Sequence, residues 1–454
     1  MNRQIYEVEL SLKSLTVYRG LLEDKVISAL CLVMHDLVNA KVSFIQFIND
    51  YSEFYYQLAE QNQVLTFEDY LIKKIIFQDN SFSRQSEKVS DDNLKENHKK
   101  AVARDLRCLQ KFSSISAKLI KEAAIQRFGQ IKFEYELIKG LPEWEANCEQ
   151  RIKEKPESNT EASELLQAFK SSNNWRECVQ PLADFYQHNG SGEFAKYKGF
   201  TWEKFGHEGL LKGITSPDPI SFSDLIGYER QRREISNNTE QLLNGYAANN
   251  VLLYGDRGTG KSSTVKALLN EYGYRGLRII ELPKAYLEDL SYVLRAIRDR
   301  QQKFIIFIDD LAFGDSEEEY TALKAVLEGS LESKPQNVVI YATSNRRHLI
   351  KERFSDRSGL MSDNEDDEVR SADTLQEKLS LADRFGITVT YTSPDKEEYL
   401  EIVEGLARNR NLPIDIITLH EEALKWEINH NGRSPRTARQ FIDWLEASVE
   451  KVGR

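Results

Sequence analysis

NNVLLYGDRGTGKSSTVKALLNEY, running from Asn249 to Tyr272, is the stretch on which the reading of this chain turns. It opens with a short apolar run of the kind that forms a buried strand, and it closes with apolar residues at helical spacing. Between them, Gly255-Asp256-Arg257-Gly258-Thr259-Gly260-Lys261-Ser262 fits the pattern G-x-x-x-x-G-K-[ST]. Glycines permit the tight turn and let the backbone approach a ligand closely. Successive N–H groups of such a loop point inward at an anion, and the following helix adds the positive end of its dipole. Lys261 is then placed to neutralise the β- and γ-phosphates of a nucleotide, and Ser262 to offer its hydroxyl to magnesium. Ser263 follows in the same turn. The expected ligands are ATP and Mg2+.

Moving outward, four more apolar runs follow. They are LRIIEL (Leu277 to Leu282), KFIIFIDD (Lys303 to Asp310), NVVIYATSN (Asn337 to Asn345) and ITVTY (Ile387 to Tyr391). The helical patterns SSTVKALLNEY, LEDLSYVLRAIRDR and EEEYTALKAVLEGSL lie between them. Strands alternating with helices imply a parallel sheet covered on both faces. The third run ends in Asp309 and Asp310, one strand after the phosphate loop. Asp309 there would hold magnesium, mostly through water and Ser262, and Asp310 would orient an attacking water. Asn345 ends the next run, where an amide reaches the γ-phosphate or that water. Arg346 and Arg347 behind it read as surface charges. In LSLADRFG, Arg384 stands just before the fifth strand and is a candidate to enter the site of an adjacent subunit. After Lys396 the strands stop and three helical patterns form a lid. In NGRSPRTARQF, Pro435 favours helix entry and Arg436 could reach the phosphates from above, with Arg433 and Arg439 as alternatives.

Together these residues resemble the AAA+ superfamily. SFSDLIGYE resembles the superfamily's adenine-contacting segment, which carries that role onto Ile226 and Gly227, with Tyr228 beside them. GDRGTGKSS resembles Walker A, IIFIDD Walker B, ATSN sensor 1, LADRFG the arginine-finger box and GRSPR sensor 2. The resemblance is closer still to a bacterial group of uncharacterised AAA+ ATP-binding proteins, and it covers about Phe194 to the C-terminus. It implies an α/β, parallel-sheet P-loop core with a C-terminal helical lid, ATP and Mg2+ as ligands, and a homo-oligomer completed by Arg384 in trans. Walker B is Asp-Asp here, not the commoner Asp-Glu. Replication initiators and helicase loaders resemble the chain in this, which implies slow hydrolysis. No aromatic-glycine pore loop follows LRIIEL, PKAYLEDL being the nearest candidate, and this argues against polypeptide threading.

The remaining features set the frame. The chain has 454 residues, 40% hydrophobic and 29% charged, with a net charge of −11. That is enough apolar material for two or three domains, and the acidic balance argues against a uniformly basic nucleic-acid surface. The four cysteines, Cys31, Cys108, Cys148 and Cys178, have no CxxC spacing and read as free thiols of a reducing compartment. The N-terminus lacks a signal core. Val26 to Val38 contains His35 and Asp36 and is too short to span a bilayer. The expectation is a soluble cytoplasmic protein. Three polar stretches divide the chain: Asn80 to Lys100, Lys153 to Glu164, and the acidic Ser355 to Lys378, read as a mobile insertion. The first 200 residues read as mostly helical, with Phe54, Tyr55 and Tyr56 as packing residues. The expected organisation is a helical region 1–195 that is a candidate for client binding, a nucleotide core 196–394 and a lid 395–454. The leading functional reading is a nucleotide-dependent ATPase switch. A loader or remodeller acting on nucleic acid and an interaction module with little hydrolysis are the alternatives. The sensor, finger and lid motifs argue against a small-molecule kinase.

Overall fold

The computed structural model describes residues 2–61, 66–88, 94–145, 160–206, 208–311, 323–324, 327, 334–345, 384–430 and 432–452. The chain forms two compact units, divided between Lys196 and Tyr197.

The first unit is helical. Its helices are α1 (Arg3–Lys13), α2 (Lys25–Val38), α3 (Phe44–Ala59), α4 (Phe67–Ile76), α5 (Ser81–Lys88), α6 (Glu96–Ser113), α7 (Ala117–Phe128), α8 (Lys132–Gly140), α9 (Thr160–Ser171), α10 (Val179–Asn189) and the single turn α11 (Glu193–Lys196). One apolar core joins them, and Leu30, Val33, Phe47, Phe54, Leu106 and Phe112 are fully buried in it. Tyr56, by contrast, is exposed. Carboxylates fix the helix ends. Asp24 accepts from the N–H groups of Val26 and Ile27 at the start of α2, and its other contacts are Tyr70 and Lys74 of α4. Asp105 of α6 accepts from three successive N–H groups, those of Thr16, Val17 and Tyr18, at 2.9, 2.7 and 3.1 Å.

Asn80 to Lys100 is not simply a divider. Asn80 caps α5, whose Phe82 and Ser83 are fully buried, and α6 begins at Glu96. One aromatic ring and small serines suffice to bury a helix face that composition alone marks as polar. Residues 160–164 of the second polar stretch open α9. The remainder of that stretch, the acidic stretch 355–378, Cys148, Arg346 and Arg347 lie outside the described residues, as does nearly all of EEEYTALKAVLEGSL. Among the described residues no helix is long and apolar enough to cross a membrane.

The second unit is α/β. Its elements are β1 (Gly199–Phe205), β2 (Glu208–Gly213), α12 (Glu229–Leu243), β3 (Val251–Gly255), α13 (Lys261–Tyr272), β4 (Leu277–Glu281), α14 (Leu290–Ile297), β5 (Lys303–Ile308), β6 (Val338–Ser344), β7 (Ile387–Tyr391), α15 (Lys396–Asn409), α16 (Ile416–Asn429) and α17 (Pro435–Val452). The sheet order is β2-β1-β4-β5-β6-β3-β7, with β2 antiparallel to β1 and the other neighbours parallel. All seven residues of β6 are buried, as expected for a central parallel strand covered on both faces. The five runs from β3 to β7 are the strands expected from their apolar content. The β1–β2 hairpin was not expected. Trp202 and Phe200 are buried along β1, and the Trp202 indole donates to Asp289 at 3.0 Å. PKAYLEDL forms a 3-10 helix, Lys284–Asp289, running into α14.

Because β3, β5 and β6 run parallel, their C-terminal ends open on one side. Tyr254 is level with Ser344, and Ile308 with Ala342. The phosphate loop, Asp309, Asp310 and Asn345 therefore meet at that edge, where parallel sheets place ligands. Helices α15, α16 and α17 close on their own core of Tyr399, Val403, Phe441 and Ile442.

Candidate nucleotide site

The phosphate loop is shaped by its glycines. Gly255 has φ 139°, and a Cβ built there would lie 1.9 Å from the carbonyl oxygen of Tyr391. No side chain fits. Gly260, at φ 90°, has open space around it and is required for its backbone angle alone. The loop is also tied to β7: the Asp256 N–H donates to the Tyr391 carbonyl at 2.9 Å. The Asp256 carboxylate turns away from the cleft and accepts from the Ser393 N–H and hydroxyl at 2.7 and 2.8 Å. These bonds hold its carboxyl below the usual range. Asp256 thus braces the loop with its side chain.

Lys261 is buried, and its ammonium donates to the carbonyls of Gly255 and Asp256 at 3.0 and 2.6 Å. Burial lowers its pKa against the opposing pull of Asp256, Asp310 and Asp309. The Ser262 hydroxyl donates to Asp309 Oδ1 at 2.6 Å. Behind it, the Asn345 amide donates to Asp310 Oδ1 at 2.7 Å. Asp310 is itself left-handed, φ 51°.

A cleft of about 570 Å³ collects these groups. Arg257, Gly258, Thr259, Gly260, Lys261, Ser262 and Ser263 line one wall, Asp309, Asp310 and Asn345 another, and Arg436 and Arg439 of α17 a third. The size suits a small-molecule ligand. The lid reaches the loop directly, since the Arg436 N–H donates to the Gly258 carbonyl at 3.2 Å. Arg433 is instead paired with Glu427 at 2.7 Å. Beside the main cleft a narrower cavity of about 30 Å³ is lined by Ile226, Tyr228, Tyr391, Ile402 and Leu406 among others. Gly405 of α15 lets Ile226 pack close, because a Cβ there would meet the Ile226 side chain at 2.8 Å. Gly227, φ 79°, faces Ile402.

Arg384 is not among the residues lining the cleft. It precedes β7, whose first residue, Ile387, is level with Val251 at the start of β3. The phosphate loop starts at the other end of β3, about 13 Å further along at roughly 3.3 Å per residue.

Two residues of this region, Thr343 and Tyr391, were missed by motif reading. Thr343 lies two positions before Asn345, on the same strand face, and contacts both acids. Alternation along β6 could have singled it out. Tyr391 and Tyr228 stack at 5.1 Å, and the Tyr228 hydroxyl donates to the Thr392 carbonyl at 2.6 Å. That contact joins segments distant in sequence and left no local signal.

The oxygen donors Ser262 and Asp309 form a hard-ligand set that fits magnesium sharing a nucleotide's phosphates.

A family described as "Protein of unknown function (DUF815)" matches residues 195–449. The chain belongs to the DUF815 family. This DUF815 chain is also 26% identical over 252 residues to a putative 26S proteasome regulatory subunit homolog of Methanocaldococcus jannaschii, covering 49% of the chain and 67% of that relative. The RuvB Holliday junction branch migration motor of Thermotoga maritima superposes with a TM-score of 0.37 at 17% identity, over 52% of this chain and 67% of its own. With its phosphate loop, acidic strand end, strand order and helical lid, the second unit of the DUF815 chain is an AAA+ P-loop module.

Proposed function

We propose that this protein binds MgATP in the cleft and hydrolyses it slowly, as a switch of conformation or assembly. The observation that carries this reading is the pairing of Ser262 with Asp309 at 2.6 Å and of Asn345 with Asp310 at 2.7 Å, opposite a glycine loop that ends in Lys261. On binding, Lys261 exchanges two carbonyls of its own loop for phosphate oxygens. Ser262 and Asp309 hold magnesium, which when bound neutralises charge on the β- and γ-phosphates. Asp310 orients water, and Asn345 holds Asp310 in place. Ile226 and Gly227 face the base, and Arg436 couples the lid to the phosphates.

Arg384 belongs to the opposite end of its own sheet, so it serves a neighbouring copy's site in a homo-oligomer. The proposed division of labour is a helical region 1–195 that engages a protein client, a nucleotide core 196–394 and a lid 395–454.

Calorimetry of the full chain with ATP and Mg2+, beside Asp310→Asn, tests the reading. Binding in both proteins with phosphate release only in the native chain supports it. Binding with no release in either points to a nucleotide-binding interaction module. No binding removes the proposal.

A further inference from the structure

Thr343 is 2% exposed, in a strand whose neighbouring residues are almost all apolar. A buried hydroxyl in that setting is costly unless its hydrogen bonds are made. Its bonds go to the two acids of the cleft. A hydroxyl has one proton, and a carboxylate can only accept. The Thr343 hydroxyl therefore donates to Asp309 Oδ1 at 2.5 Å, and it accepts from the Asp310 N–H at 2.9 Å. The backbone carbonyl of Thr343 accepts from the Leu311 N–H at 2.7 Å. One residue thus grips three consecutive positions at the end of β5.

Two consequences follow from that grip. Asp309 Oδ1 receives three donors: Ser262 Oγ, Thr343 Oγ1 and, at 3.2 Å, the Asp310 N–H. This fixes the carboxylate's rotation and leaves the second oxygen as the one to meet a cation. Asp310 holds φ 51°, a conformation unfavourable for a residue with a Cβ, and its N–H is anchored on the Thr343 hydroxyl. That anchoring aims the Asp310 carboxylate at Asn345.

We infer that Thr343 is a positioning residue for nucleotide-dependent chemistry, its hydroxyl setting the orientation of both Asp309 and Asp310. The inference rests on the nucleotide reading above. Its test compares the native chain with Thr343→Val, which keeps the shape and loses the hydroxyl, and with Thr343→Ser, which restores it. ADP is titrated by calorimetry with Mg2+ and with EDTA, and ATP turnover is measured alongside. Thr343→Val should keep ADP affinity in EDTA within about twofold. It should lose roughly 10- to 100-fold in the Mg2+-dependent gain of affinity and in kcat, with KM little changed, as for other supporting partners of metal ligands. Thr343→Ser should stay within about threefold of the native chain. A Val variant that matches the native chain, or a Ser variant as impaired as Val, overturns the inference. If Thr343→Val does not fold, Thr343→Ala is measured against the same outcomes. Failure of the nucleotide reading looks different, because the native chain would then bind no ADP at all. In that event hydrogen exchange at the Asp310 amide decides. It should quicken at least about tenfold in Val and not in Ser, and an unchanged rate overturns the inference.

Discussion

The helical unit buries its Asp105 carboxylate completely, whereas the α/β unit leaves Asp309 and Asp310 exposed at the cleft, and the two units use these acids in different ways. In the helical unit Asp24 and Asp105 are spent on backbone N–H groups and helix ends. Their energy goes into the fold. In the α/β unit Asp309 and Asp310 face an open cleft and are held by three side chains, one from α13 and two from β6 and the residue that follows it. Acids whose oxygens are spent within the fold belong to architecture. Acids that are held in place and still open on one flank belong to chemistry.

That contrast can be broken at several points. The largest expected effect is at Arg384. Replacing it with alanine should cut ATP turnover of the assembled protein by about 10³-fold while leaving nucleotide affinity of the isolated chain within about twofold, measured by phosphate release and calorimetry. Loss of affinity would place Arg384 in its own site and defeat the trans assignment. Next, Lys261→Ala should weaken ATP binding on the order of 100-fold, because a buried charged partner of the phosphates is removed. Urea unfolding of the helical unit should be unaffected.

Asp105→Ala should act in reverse. It strands three N–H groups and should cost about 2–3 kcal/mol in unfolding of the helical unit, with ATP affinity unchanged. A shift in affinity with no loss of stability would erase the distinction between the two kinds of acid.

The smallest effect is a pH slope. Burial first, and Asp50 second, push the Asp36 carboxyl from 3.8 up to about 7. The folded chain therefore holds a proton there that the unfolded chain releases. Stability of the helical unit should fall as pH rises from about 4 through about 7. Asp36→Asn should flatten that slope, as urea midpoints at intervals across the window would reveal.

Much of the α/β unit was legible in the sequence. Parallel strands buried on both faces are continuous apolar runs, so β3 to β7 announced themselves. The glycine loop and Asp309-Asp310 are likewise local patterns. The β1–β2 hairpin was not legible, since what holds Trp202 is Asp289, far along the chain. Thr343 and Tyr391 escaped for the same reason: each matters through what a neighbouring strand brings to it. The polar stretch around α5 misled because composition counts residues, whereas burial of Phe82 and Ser83 depends on which face they share.

The close approach of Gly255 to Tyr391 carries one more consequence. Strand β7 is a short, stiff rod. One end abuts the bend of the phosphate loop with no room for even a methyl group, and the other begins three residues after Arg384. Backbone hydrogen bonds along β3 leave it little freedom to slide. The bend that carries Asp256 and the segment that follows Arg384 are therefore tied to one rigid strand, so neither can shift without straining the same row of β3–β7 hydrogen bonds.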